Sequence, residues 1–112
     1  LGRPFEHLYV AGSSSGAWFV VALAFRGALA ADGWAAISGG SPGAWTSRDL
    51  APRTPKPFYV GFGDNDPSAA SGARALAAVL RAAGWPVEAR AHPFGHGARA
   101  VYLEEAFATW AR

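Results

Sequence analysis

The sequence predicts an α/β fold: a mostly parallel sheet of about four strands with flanking helices. Three observations carry this expectation. Short β-branched and aromatic runs alternate with longer helical patterns in the order βαβ-loop-βαβα, which argues parallel strands joined by right-handed crossovers. The runs at 8–11 and 58–62 are apolar without alternation, as in strands covered on both faces. Between the first strand and the first helix stands Gly12-Ser13-Ser14-Ser15-Gly16, a Gly-x-Ser-x-Gly turn centred on Ser14.

Each element has its own signal. Leu8–Ala11 reads as a strand buried on both faces. From Ser15 to about Ala31 the pattern is helical and apolar nearly all round, with Trp18, Phe19, Val20, Val21, Leu23 and Phe25. Such a helix is covered on more than one side. Trp34–Ser38 is a second strand, bounded by Gly33 and by Gly39-Gly40. Residues 39–56 are rich in proline, glycine and small polar side chains, and they predict a surface loop.

Phe58–Phe62 is the third strand. Ser68 can cap a helix running to about Ala83, with Leu76, Val79, Leu80 and Ala83 on one face; Gly84 stops it and Pro86 forbids a restart. Val87–His92 alternates apolar and polar residues, so it belongs at a sheet edge. A last helix, from about Ala98 to Ala111, places Ala100, Leu103, Phe107 and Trp110 on one stripe.

Bulk properties narrow the function classes. At 112 residues the chain is a single domain, 1–112, with room for one core. Half of the residues are hydrophobic, which excludes a disordered chain. The net charge is only +2, and the high isoelectric point reflects arginine used in place of lysine. The arginines are scattered, so no basic patch marks a nucleic-acid partner. There is no cysteine, hence neither a disulfide framework nor a thiol site, and the compartment stays open.

The apolar run Ala17–Ala30 is too short for a membrane span and is interrupted by Arg26 and Gly27, so no membrane partner is expected. No signal peptide is visible. The chain opens on Leu1, as expected of an excised piece or a processed product.

A serine wedged between a buried strand and a buried helix is held in a strained turn, with its hydroxyl projecting above the sheet. Close approach of neighbouring chain asks for near-absent side chains two positions before and two after. Gly12 and Gly16 meet that demand for Ser14 alone. A flexible Gly/Ser linker is the bland alternative. An anion-binding turn at a helix N-terminus is another, although the Walker and Gly-x-Gly-x-x-Gly patterns are absent.

A serine hydroxyl needs a base to take its proton and an acid to orient that base. In open parallel sheets such groups gather after the carboxyl ends of strands. After the third strand comes Gly63-Asp64-Asn65-Asp66-Pro67; after the fourth, His92-Pro93-Phe94-Gly95-His96-Gly97. Asp64 and Asp66 both remain candidates for the acid. For the base, His96 lies between glycines that let its loop fold back, whereas His92 ends an edge strand. His7 precedes the first strand and is expected at the surface, away from the site.

The backbone N–H of Ser15 can supply one oxyanion donor. The second normally comes from a loop after an earlier strand, and no such segment precedes Leu8 here. No histidine or acid spacing suits a metal, and no cofactor is implied. Four of the five tryptophans read as core; Trp45, in the long loop, is a candidate to line a substrate pocket.

With these residues in view, the chain resembles the C-terminal half of an α/β-hydrolase. It is most similar to the esterase branch of polyhydroxyalkanoate depolymerases, feruloyl esterases and acetyl xylan esterases. The matching pieces are Arg3-Pro4 leading into 8–16, Ile37-Ser38-Gly39, 57–66 from Pro57 to Asp66, and Gly95-His96. The resemblance implies a serine esterase acting on a small-molecule or polymeric ester, with Ser14, Asp66 and His96 as its triad. In that family the acid follows its strand as Gly-x-x-Asp at a fixed distance from the opening proline. Counting from Pro57, Gly63 and Asp66 fall in that frame, which favours Asp66 over Asp64.

The chain departs from the pattern in three ways. Ala17 stands where a second glycine is usual, the stretch between the second and third strands is a loop, and the front strands are absent. The strand at Leu8–Ala11 would then be an open apolar edge. It is expected to pair with a missing N-terminal half or with a second copy in a homodimer.

Overall fold

A computed structural model describes residues 7–26, 31–41 and 56–111. Among these residues four strands and three helices follow one another: β1 (Tyr9–Ser13), α1 (Ser15–Arg26), β2 (Gly33–Ile37), β3 (Phe58–Gly63), α2 (Pro67–Ala82), β4 (Val87–His92) and α3 (Ala100–Trp110). The strands form one sheet in the order β1-β2-β3-β4, every neighbouring pair parallel. This is the fold class that the alternating pattern predicts.

The pleat divides the core in two. On one face Trp34, Ala36, Phe58, Val60 and Phe62 pack with Val20, Val21 and Phe25 of α1 and with Leu76 and Leu80 of α2. On the other, Ala35, Ile37 and Tyr59 meet Tyr102 and Ala106 of α3. Both central strands are buried along their whole length. They have no polar face because each is covered by helices above and below.

β4 is the polar edge that its alternation predicts. Val87 and Ala89 reach the larger core, while Glu88, Arg90 and His92 share the α3 face of the sheet. α2 ends in a Schellman motif: the Gly84 amide donates to Arg81 O and the Trp85 amide to Leu80 O, with Gly84 at φ +90°. Trp85 is buried there and Pro86 leads into β4.

Several expectations need correction. β1 is not buried on both faces: Tyr9 and Ala11 are exposed, because among the described residues the sheet stops at β1 and no further strand pairs with it. Tyr9 leans on Trp110 instead, ring centroids 4.8 Å apart. α1 is covered on one side only, leaving Trp18 at 54% and Phe19 at 67% exposure. In α3 the buried stripe is Tyr102, Ala106 and Thr109, while Leu103 and Phe107 face outward. The helix lies so close to the sheet that a Cβ on Gly61 would stand 2.7 Å from the Tyr102 ring, so glycine is needed at that position. Finally, α2 is capped by Asp66, with Pro67 in its first turn, and not by Ser68.

Among the described residues no helix is long and apolar enough to cross a membrane.

Leu80 is fully buried on α2, whereas its neighbour Arg81 is exposed. Leu80→Ala is expected to lower the unfolding free energy by about 2–5 kcal/mol, and Arg81→Ala by less than about 0.5 kcal/mol, in urea titrations. Equal losses would show that α2 is not seated as described.

Candidate active site

The site forms where β1, β2, β3 and β4 all deliver their carboxyl ends. Ser14 leaves β1 with φ +56°, a left-handed conformation that costs a non-glycine residue energy. Its amide still donates to Ile37 O at 2.9 Å, so the ladder to β2 holds the chain while it turns. α1 starts at the next residue. The hydroxyl is thereby lifted off the sheet on a backbone that cannot relax.

Two glycines make that corner feasible, but not the pair that spacing suggests. A Cβ on Gly12 would run into the Gly16 carbonyl and the Val20 side chain. A Cβ on Gly16 would meet nothing within 4 Å, so close approach does not demand glycine there. The second constrained position is Gly39, where a Cβ would sit 2.5 Å from the Ser14 carbonyl oxygen. Gly39 appears in the sequence only as a strand-ending glycine, and its contact is made across the sheet.

The loop after β3 places the acids. Asp66 is the N-cap of α2, yet its side chain makes no cap hydrogen bond. Its carboxylate faces His96 Nδ1 at 2.6 Å, with the side chain only 12% exposed. Asp64 points elsewhere, to Arg74 at 3.2 Å, and both of those side chains are largely in solvent.

The loop after β4 places the histidines. His96 Nε2 lies 2.8 Å from Ser14 Oγ, so Ser14, His96 and Asp66 come together in one hydrogen-bonded line. An ionised carboxylate can only accept, so the Nδ1 proton belongs to the Asp66 side. Nε2 is then left to accept from the serine hydroxyl. The two loops are knitted together by backbone bonds, Asp64 amide to His92 O at 2.7 Å and Asn65 amide to Phe94 O at 3.0 Å. A Cβ on Gly63 would collide with the Phe94 carbonyl, so this close crossing needs glycine.

His92 is outside this line. Its Nε2 is 2.9 Å from Glu105 Oε1, which also accepts from the Tyr59 hydroxyl at 2.6 Å. Burial pushes the Glu105 carboxyl up, but hydrogen bonds from Tyr59 and His92 outweigh it and hold the group below its ordinary value. Burial first, and then Glu105, push the Tyr59 hydroxyl well above the usual tyrosine range. His7 is exposed at the start of β1, 3.9 Å from Asp32 and at the far end of that strand from Ser14.

A cleft of about 360 Å³ opens beside Ser14 and His96, lined also by Ser15, Trp18, Ser38, Gly39 and Ala69. Ser15 opens α1, and first-turn amides of a helix have no partner within it. Trp18, which the helical pattern assigns to the core, is a wall of this cleft. Trp45 lies outside the described residues. No group of three or more potential metal ligands occurs among the described residues.

No protein-family model matches the chain, and no curated protein matches it. Solved structures do. A crystal structure of an uncharacterised protein from Bacillus cereus ATCC 10987 superposes with a TM-score of 0.81 at 18% identity, over 96% of this chain and 38% of the other. The Bacillus cereus carboxylesterase gives 0.72 at 20% identity, over 92% and 48%. Esterase Est22 gives 0.72 at 16% identity, over 94% and 47%. The chain thus shares with these structures a partial α/β fold, four parallel strands with flanking helices, and it spans less than half of their length.

Because Glu105 is held below its ordinary value, the folded state binds fewer protons there than the unfolded chain. Its contribution is present above the unfolded carboxylate value, about 4.3, and is lost as pH falls through the lower folded value. Between about pH 5 and pH 3, wild type is expected to lose stability more steeply than Glu105→Gln in denaturant titrations. Parallel pH curves would show that this carboxylate is not coupled to folding.

Proposed function

We propose that this chain carries the nucleophile, base and acid of a serine esterase that hydrolyses carboxylic esters through an acyl-enzyme. The observation that supports this most strongly is the line Ser14 Oγ, His96 Nε2, His96 Nδ1, Asp66 Oδ2, with links of 2.8 and 2.6 Å. Both are within the reach that proton transfer requires.

In this reading Ser14 Oγ attacks the ester carbonyl carbon while His96 Nε2 takes the hydroxyl proton. The Ser15 amide donates to the developing oxyanion. Collapse of the tetrahedral intermediate breaks the bond to the alcohol, which leaves with the proton from His96. Water then attacks the acyl-serine with His96 again as base, releasing the acid and restoring the Ser14 hydroxyl. Asp66 keeps the imidazole in its working tautomer and stabilises the imidazolium. The substrate is a small-molecule or polymeric ester seated in the cleft beside Trp18. The resemblance to the polyhydroxyalkanoate depolymerase, feruloyl esterase and acetyl xylan esterase branch narrows the class further.

The elbow supplies one oxyanion donor, the Ser15 amide, where two are usual, and losing one costs about 3 kcal/mol in the barrier. The remaining donor and strands are proposed to come from a segment that pairs with β1, which among the described residues has a neighbouring strand on one side only and carries the exposed Tyr9. The opposing reading is a non-catalytic interaction piece, favoured by that same shortfall. A fluorophosphonate probe separates the two, because only an activated serine reacts with it.

In the full-length protein, Ser14→Ala is expected to abolish turnover of p-nitrophenyl butyrate above background; equal rates would remove Ser14 from the mechanism. Asp66→Asn should lower kcat by about 10³–10⁴-fold. Asp64→Asn, which loses only an exposed ion pair, should cost less than about tenfold. The 112-residue chain is expected to self-associate through β1 in light scattering, and a monodisperse, normally stable monomer would contradict an open-edge partner.

A further inference from the structure

Ser38 follows β2 as Ser14 follows β1. These two are the only non-glycine residues at positive φ among the described residues, Ser38 at +52°. Its amide donates to Gly61 O at 2.8 Å, as the Ser14 amide does to Ile37 O, so both corners are pinned to the next strand. The Ser38 side chain is fully buried, and its hydroxyl donates to Gly97 O at 2.7 Å across 59 residues of sequence.

Gly97 is the residue after His96. On the upstream side the same loop is tied to Asn65, whose amide reaches Phe94 O and whose side chain reaches Pro93 O at 3.4 Å. Ser38 is the downstream tie. His96 is itself 54% exposed, so beyond its hydrogen bonds to Ser14 and Asp66 the imidazole relies on the loop backbone for its place.

Glycine would occupy a left-handed corner more cheaply than serine. A residue kept in strained backbone beside a site points to work done by its side chain. The buried Tyr102 hydroxyl lies beside Ser38. The Ser38 hydroxyl, fully buried and donating to Gly97 O, makes a bond that is costly to break because its acceptor would lose its partner.

We propose that Ser38 is a positioning residue: its hydroxyl clamps the Gly97 carbonyl and so sets the height and angle at which His96 meets Ser14. The proposal rests on the esterase reading only for its kinetic consequence. The geometric consequence, a His96 loop held by one side chain from β2, stands apart from it.

The decisive variant is Ser38→Gly in the full-length protein, because it removes the hydroxyl and relieves the backbone strain together. A residue needed only for folding would make activity follow stability. A positioning residue separates them. The unfolding midpoint of Ser38→Gly is expected to match or exceed that of wild type. Its kcat on p-nitrophenyl butyrate should fall by between about 10- and 100-fold, with KM within about twofold. The downfield proton resonance of His96 Nδ1, shared with Asp66, should broaden or vanish. Ser38→Ala should show the same kinetic and spectroscopic losses.

If kcat stays within about twofold and the resonance is unchanged, Ser38 does not position the base. Losses that simply follow a lowered midpoint in both variants would mark it as structural and overturn the proposal. Should wild type fail to hydrolyse esters at all, the resonance still decides. Its loss in Ser38→Gly would support the clamp while the esterase reading fails alone, and its persistence would overturn the clamp.

Discussion

Everything in this site depends on the Ser14 amide holding on to Ile37 O while the chain reverses into a helix. Without that bond a left-handed serine would relax toward ordinary extended backbone and its hydroxyl would drop to the sheet. With it, the strand ladder itself supports the strain. The two central strands then matter less as walls of a core than as anchors, since β2 fixes the serine corner and β3 fixes the Ser38 corner in the same manner. Burial on both faces of β2 and β3 is what makes those anchors stiff.

The strand pleat also sorts the two histidines. Glu88, Arg90 and His92 lie at alternate positions of β4, on the face that carries α3. His92 is therefore committed to Glu105 and Tyr59 before the chain leaves the sheet. Three more residues, two of them proline and glycine, bring His96 back over the carboxyl ends where Ser14 stands. A similar separation acts on the acids: Asp64, at the top of β3, is drawn out to Arg74, while Asp66 takes the cap position of α2 and turns its carboxylate inward.

Much of this was legible in the sequence, and the reasons for success and failure are physical. Alternation of β-branched runs with helical ones fixes a parallel sheet, and the period of two in Val87–His92 fixes its polar edge, because both follow from local backbone geometry. The turn around Ser14 is legible because its demands fall within five consecutive residues. Gly39 and Ser38 were not legible, since each acts on a partner reached only across the sheet, Ser14 in one case and Gly97 in the other. Apolar periodicity likewise assigned Trp18, Phe19, Leu103 and Phe107 to covered faces. A hydrophobic pattern records that a side chain seeks cover, not whether this chain supplies it.

That last point bears on what the exposed residues mean. Tyr9 is exposed on β1, the edge on the serine side that has no neighbouring strand among the described residues, and Trp18 and Phe19 are exposed on the helix that follows it. β4, the opposite edge, carries Glu88 and Arg90, which form an ion pair along the strand. Charged edges discourage further pairing, while apolar ones invite it. Under the proposed function this asymmetry points growth of the sheet to the β1 side. There an added strand would shield the apolar edge, and the loop leaving it would bring a second amide toward an oxygen bound above Ser14.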